Sequence, residues 1–214
     1  MNITIQKLMD VGAHYGSLVS KWNPKMSPYL YGQRNQFCVI DLEKTLASLK
    51  RSMHVLREIQ KTNGRVLFVG TDEMSSQCVR YYARQTGQSY LHQSWPAGFL
   101  TNWNHFSAFL QEFNRQESTL NPKKDMKTYK KHVRLSQSLE GVRHLTQLPS
   151  LLVVFNTEKH RIAIQEANIM KIPVIGIVDT DCNPDGITYV IPGNNDNVSC
   201  MKFYAEFLSQ AWKE

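Results

Sequence analysis

The sequence predicts an α/β protein: a parallel sheet flanked by helices, of flavodoxin or Rossmann type, with a protruding α-helical hairpin. Three observations carry this. Apolar runs at residues 65–70, 151–155 and 173–178 have the unbroken pattern of strands covered on both faces. Segments of helical period alternate with them. Residues 105–147 break that rhythm with two amphipathic stretches on either side of Pro122.

The elements follow in order. Residues 5–11 read as a short amphipathic helix that stops at Gly12, before a Gly-flanked turn through His14. Residues 21–32, with two prolines and several aromatics, read as an ordered loop. Residues 37–40 are expected to be a strand of the alternating unit. Residues 42–61 place Leu42, Leu46, Leu49, Met53, Leu56 and Ile59 at helical spacing, with Asn63-Gly64 as the stop. A strand at 65–70, a helix at 73–85 and a strand at 89–93 follow. After the hairpin come a strand at 151–155, a helix at 158–170 and a strand at 173–178, whose Pro173 sits where a lost N–H matters least. A short strand at 187–191 and a helix at 198–212, capped near Asp196 or Asn197, finish the chain. Residues 1–104 and 148–214 are thus two parts of one α/β domain, and 105–147 is an insertion.

In the hairpin, Phe106, Phe109, Leu110 and Phe113 share one helix face. His132, Leu135, Leu139, Val142 and Leu145 form a stripe on the other. The uncharged stretch from Trp95 to Trp103 precedes it. That stretch reads as a joint that aims the hairpin, with Trp95, Phe99 and Leu100 packed and Thr101-Asn102 left to touch a partner.

Charge narrows the function. The 214-residue chain carries a formal +7, and nucleic acid is the commonest partner of a basic chain. From Asn121 to Arg143 there are seven cations, Lys123, Lys124, Lys127, Lys130, Lys131, Arg134 and Arg143, against Asp125 and Glu140. Lys127, Lys131 and Arg134 share a face by spacing, a row that can follow a phosphate backbone. A second basic group, Lys21-Trp22-Asn23-Pro24-Lys25 with Arg34-Asn35, sets cations beside an aromatic, which suits stacking on RNA.

Enzyme signatures are scarce. Neither phosphate-loop nor dinucleotide glycine pattern is present, and Thr71-Asp72-Glu73 follows a strand where two carboxylates would repel a phosphate. The turn at 179–185, with Asp179, Asp181 and Asp185, lies where α/β sheets bind ligands, and with His14 could hold a metal. Turn chemistry of Asn183-Pro184-Asp185-Gly186 explains it more simply. Cys38, Cys78, Cys182 and Cys200 form no C-x-x-C pair and read as reduced, buried side chains. No apolar run approaches the roughly 18 residues of a membrane span, and the N-terminus shows no presequence pattern. An α/β enzyme or metal-binding protein using the 179–185 turn, and a protein-docking module, stay open as alternatives.

At this point the chain resembles the S-two family of small-subunit ribosomal proteins. The matching pieces are Gly12-Ala13-His14-Tyr15-Gly16, Trp22-Asn23-Pro24-Lys25-Met26, Ile40-Asp41-Leu42-Glu43-Lys44-Thr45, Leu67-Phe68-Val69-Gly70-Thr71, Gly98-Phe99-Leu100-Thr101-Asn102-Trp103, Glu166-Ala167-Asn168, Ile172-Pro173-Val174 and the run from Val178 to Asn194. The resemblance implies a structural constituent of the small subunit, bound to its rRNA and to neighbouring ribosomal proteins. It implies no catalysis, cofactor, membrane or small-molecule substrate. The expected RNA-binding residues are Lys21, Trp22, Asn23, Lys25, Arg34, Asn35, Asn102, Trp103, Lys123, Lys124, Lys127, Lys130, Lys131 and Arg134. Asp72-Glu73 stands where the family usually has a basic residue, Pro96-Ala97 replaces Leu-Gly, and Ser17 replaces a His. With a shortened hairpin, no acidic tail and no presequence pattern, these departures point to an organelle-encoded member, mitochondrial in the first place, with plastid or bacterial cytoplasm as the alternatives.

Overall fold

The computed structural model describes residues 3–117 and 126–212, without the side chains of 116–117, 126–129 and 131. Lys123 and Lys124 lie outside the described residues, and Lys127 and Lys131 are placed by backbone alone. Helix α1 (Ile5–Asp10) is capped by the Thr4 hydroxyl, which accepts the Lys7 N–H at 3.4 Å. Three short strands follow, β1 (Tyr15–Leu18), β2 (Leu30–Arg34) and β3 (Phe37–Ile40). They pair antiparallel in the order β1-β3-β2.

This small sheet corrects the sequence reading twice. Residues 15–18 form a strand where only a turn was expected. Residues 37–40 belong here and not to the parallel sheet. The expected loop at 21–32 resolves into a 3-10 turn (Pro24–Tyr29) and the start of β2. Asn35 and Gln36 join β2 to β3 with φ of 47° and 68°. Two consecutive left-handed residues give a hairpin turn whose twist suits its strands. Without glycine at either position, the pair lacks the usual hairpin signal.

Helix α2 (Leu42–Lys61) starts at Asp41, whose carboxylate accepts the Glu43 N–H at 3.0 Å, and buries Leu42, Leu49, Met53 and Leu56. It ends where Asn63 turns left-handed, one residue before the expected glycine. Gly64 answers to space instead, because a Cβ there would lie 2.7 Å from the Ile59 side chain. The wound unit continues as β4 (Val66–Val69), α3 (Ser76–Thr86), β5 (Ser89–Leu91), α4 (Trp103–Glu117), α5 (Met126–Leu139), β6 (Leu151–Val154), α6 (Arg161–Ile169), β7 (Val174–Val178), β8 (Tyr189–Pro192) and α7 (Val198–Ser209). Helix α3 begins three residues later than expected. The Asp72 carboxylate accepts the Ser75 hydroxyl at 2.7 Å, and its carbonyl accepts the N–H groups of Ser75 and Ser76, so 72–75 wind up as a turn. Helix α6 likewise starts at Arg161, after a turn through His160. Asn197 is the cap of α7, accepting the Ser199 N–H at 2.8 Å.

The five later strands are all parallel, in the order β5-β4-β6-β7-β8. Every residue of β4, β6 and β7 is buried, as their unbroken apolar runs require. Alternate residues feed two core layers. Val66 and Phe68 point to one with α1, α2, α3 and α7, while Leu67 and Val69 point to the other with α6. The described parts of the hairpin join the second layer through Leu110, Leu139, Val142 and Leu145. The boundary expected at residue 105 falls inside α4. All four cysteines are buried and none is in a disulfide.

One close approach ties the second hairpin helix to the sheet. The Gly141 carbonyl accepts the Tyr90 N–H at 3.1 Å, and a Cβ on Gly141 would lie 2.2 Å from the Tyr90 carbonyl oxygen. Gly141→Ala is therefore expected to lower the unfolding free energy by about 2–3 kcal/mol through overpacking, read as a lower midpoint in urea denaturation.

Candidate nucleic-acid interface

The stretch from Trp95 to Trp103 is held by one carboxylate. Glu166 on α6 is 6% exposed and collects four N–H groups from the facing segment. Its Oε1 accepts Trp95 Nε1–H at 3.0 Å and the Gly98 N–H at 2.8 Å. Its Oε2 accepts the N–H of Leu100 at 2.9 Å and of Thr101 at 3.4 Å. Gly98 adopts a φ of 83° and its carbonyl accepts the Asn102 N–H, which leads the chain into α4. Phe99 is fully buried and meets Trp95, Trp103 and Phe106 with ring centroids 5.2, 5.9 and 4.7 Å away. Thr101 and Asn102 are exposed, and Trp103 is half-buried against the second core layer. The stretch is thus a joint between sheet and hairpin, with its packing residues where the sequence placed them. Glu166 was not singled out by its chemistry. Its signal was an acid at core spacing between Ala163 and Ala167.

The first basic group sits over the carboxyl edge of β7. The Asn23 N–H donates to the Thr180 carbonyl at 2.8 Å, and the Ser17 N–H donates to the Thr180 hydroxyl at 2.8 Å. The Asn23 side chain also caps the Lys25 N–H at 3.0 Å. Trp22 is half-buried and Lys21 is exposed. Lys25 forms an ion pair with Asp185, both more than half exposed. Arg34 and Asn35 are exposed at the tip of the β2–β3 hairpin. On α5, Lys130 and Arg134 are exposed, with Leu135 turned toward the core.

The candidate metal ligands do not converge. His14 lies against Tyr15, with ring centroids 4.0 Å apart. Asp185 is spent on Lys25, and Asp181 accepts the Cys182 thiol. Asp179 is buried and faces its own backbone, accepting the Thr180 N–H at 2.5 Å and the Asn195 N–H at 3.3 Å. Burial pushes its carboxyl up to about 6, although the two N–H groups pull the other way. Among the described residues, no group of three His, Cys, Asp or Glu is placed to hold a metal.

The crevice at the switch point, between the carboxyl ends of β4 and β6, is laced by the chain itself. His160 Nδ1 lies 2.6 Å from the Asn156 carbonyl, and Nε2 lies 3.0 Å from the Thr71 hydroxyl. Nδ1 therefore carries the proton and Nε2 accepts from Thr71. Burial holds His160 below its ordinary range, so the ring is neutral at pH 7.

The sequence profile of the family described as Ribosomal protein S2 matches residues 8–214. A Rickettsia bellii protein named small ribosomal subunit protein uS2 is 38% identical, over 98% of this chain and 75% of that protein. An Acidiphilium cryptum protein of the same name is 34% identical, over 98% of this chain and 85% of that protein.

Two outcomes follow from the buried carboxylates. Glu166→Ala strands four N–H donors and is expected to cost about 3 kcal/mol or more; denaturant unfolding measures it, with loss of near-ultraviolet circular dichroism from Trp95. Asp179 binds its proton more tightly folded than unfolded. Its contribution is full below about pH 4 and is lost as pH rises to about 6, by about 3 kcal/mol at most. Urea unfolding of the parent and Asp179→Asn from pH 4 to 7 should show the non-titrating variant gaining on the parent over that window.

Proposed function

The chain belongs to the ribosomal protein S2 family, and on that premise we propose that it works as a structural component of the small ribosomal subunit, by binding that subunit's rRNA and adjoining ribosomal proteins. It is not an enzyme. One observation carries the reading: the family match runs from residue 8 to residue 214, through both sheets and the hairpin.

The rRNA contacts proposed for this chain are its exposed cations on two platforms. One is the edge carrying Lys21, Lys25 and Arg34. The other is the α5 row, with Lys130 and Arg134 exposed and Lys127 and Lys131 joining them by spacing. Phosphate contacts supply affinity and position the protein, while shape and packing supply specificity. Trp22, Asn23, Asn35, Asn102 and Trp103 join the cations as proposed RNA contacts through stacking and hydrogen bonding, with Asn23 also fixing its loop on Thr180. Lys123 and Lys124 extend the row in sequence. The bacterial relatives support a subunit of bacterial type. The narrower proposal is a mitochondrial subunit, supported by the departures at Ser17, Asp72-Glu73 and Pro96-Ala97.

The test is physical association. The protein is expected to co-sediment with small subunits through a high-salt wash, and a free pool as its sole species would sink the proposal. Sedimentation from separated mitochondrial and cytosolic fractions reads the compartment. Lys130→Glu with Arg134→Glu should weaken binding to small-subunit rRNA and flatten its salt dependence by about one to two in log–log slope. Unchanged binding would assign the hairpin to a protein partner.

A further inference from the structure

The outer face of α3 is dressed as an RNA platform, although neither the motifs nor the basic clusters drew attention to it. Gln77, Tyr81 and Gln85 form one exposed row and Arg80 and Arg84 a second beside it. No acidic residue lies on the helix. Tyr81 is 56% exposed, and its ring stands at 90° to Tyr82 with centroids 5.0 Å apart. Such an edge-to-face pair fixes the outer ring without covering it. These five residues line a shallow open depression of about 490 Å³. Arg65 adds a third guanidinium at the end of the helix, 3.5 Å from the Gly87 carbonyl.

The arginines are set in place by their neighbours. Glu140, just beyond α5, bonds both Arg80 and Arg84, and Arg84 Nε also donates to the Tyr90 hydroxyl at 2.9 Å. A single carboxylate shared by two guanidiniums orients them and leaves a net positive charge. Among the described residues, Asp72 and Glu73 precede the helix and Glu206 accepts from Tyr82.

The platform is continuous with the hairpin row. Arg80 also lines a second depression, of about 240 Å³, shared with Gln137 and Arg143. Gln137 follows Lys130 and Arg134 at positions i+7 and i+3, on the same face of α5. One surface therefore runs from the α5 cations through Arg80 to Tyr81 and Arg84. Guanidiniums interleaved with an exposed aromatic suit a nucleic-acid strand, since phosphates take the charge and any base can stack. Tyrosine and arginine also serve protein interfaces; the lack of any acid on the helix and the continuity with the α5 cations favour RNA here.

We propose that an RNA strand leaves the α5 row and crosses α3, with phosphates on Arg80 and Arg84 and a base stacked on Tyr81. This rests on the rRNA-binding reading above and adds a surface to it.

The test uses the full chain and a fluorescein-labelled oligouridylate, titrated at several salt concentrations. Arg80→Gln with Arg84→Gln should flatten the log–log salt slope by about 1.4, at about 0.7 per phosphate. Tyr81→Ala, at an exposed site, should weaken binding about tenfold with the slope unchanged. Should the arginine pair disturb folding, Gln85→Glu serves in its place and should weaken binding by adding a like charge. Parent-like binding by the α3 variants, while Lys130→Gln with Arg134→Gln loses affinity, would overturn the platform and leave the rRNA reading intact. Failure of the parent itself to bind would overturn the platform, while co-sedimentation with small subunits decides the rRNA reading separately. Retained RNA binding with loss of an adjoining protein from reconstituted subunits would make α3 a protein surface and overturn the inference.

Discussion

The arrangement of this molecule turns on one buried carboxylate. Glu166 projects from α6 into the 95–101 segment and satisfies four of its N–H groups. A carboxylate away from water is costly unless it is fully hydrogen-bonded, and here several donors converge on both oxygens. The reward is geometric. The segment that departs from β5 is fixed against α6, Phe99 closes the aromatic cluster, and α4 leaves the sheet in a set direction. The same helix holds a second loop, because Asn168 donates to the Gly186 carbonyl at 3.0 Å. The family motif Glu166-Ala167-Asn168 is thus two loop fasteners on either side of a core alanine.

The surface chemistry follows from this scaffold. Lys130 and Arg134 stand on a helix whose buried stripe packs into the second core layer, so they keep a defined orientation to the sheet. The carboxyl edge of the sheet, where enzymes of this architecture bind small ligands, is covered differently. Thr180 and Asp179 bind the N-terminal loops and the 195 backbone, and His160 ties β6 to β4 across the switch point. An edge that serves chemistry elsewhere has become a joint between structural parts, and the cations proposed to meet RNA are carried on what is attached to it.

Much of this was legible in the amino-acid order, for identifiable reasons. Buried parallel strands announce themselves as apolar runs, and β4, β6 and β7 fell where those runs lie. The long period of α2 and the hairpin stripe were equally plain. The antiparallel sheet was not legible. Its strands are four or five residues long, one face stays wet, and its hairpin turn uses Asn35-Gln36 in place of a glycine pair. The basic clusters could be counted from the sequence, but Lys25 proved to be paired with Asp185 across 160 residues. The α3 platform escaped because its arginines are only two. Their meaning comes from Glu140 and Gln137, distant in sequence, and from the depressions shared with α5.

The clamp on Thr180 has a consequence in time. Ser17 and its acceptor are separated by 163 residues, and Asn23 reaches the same residue. As the chain emerges from the machine that makes it, the N-terminal sheet is synthesised first yet can dock only after β7 exists. Closing so long a loop adds entropy cost slowly with length but delays the event. Lys21 and Lys25, made early, therefore take their final positions only once β7 and Thr180 have been made.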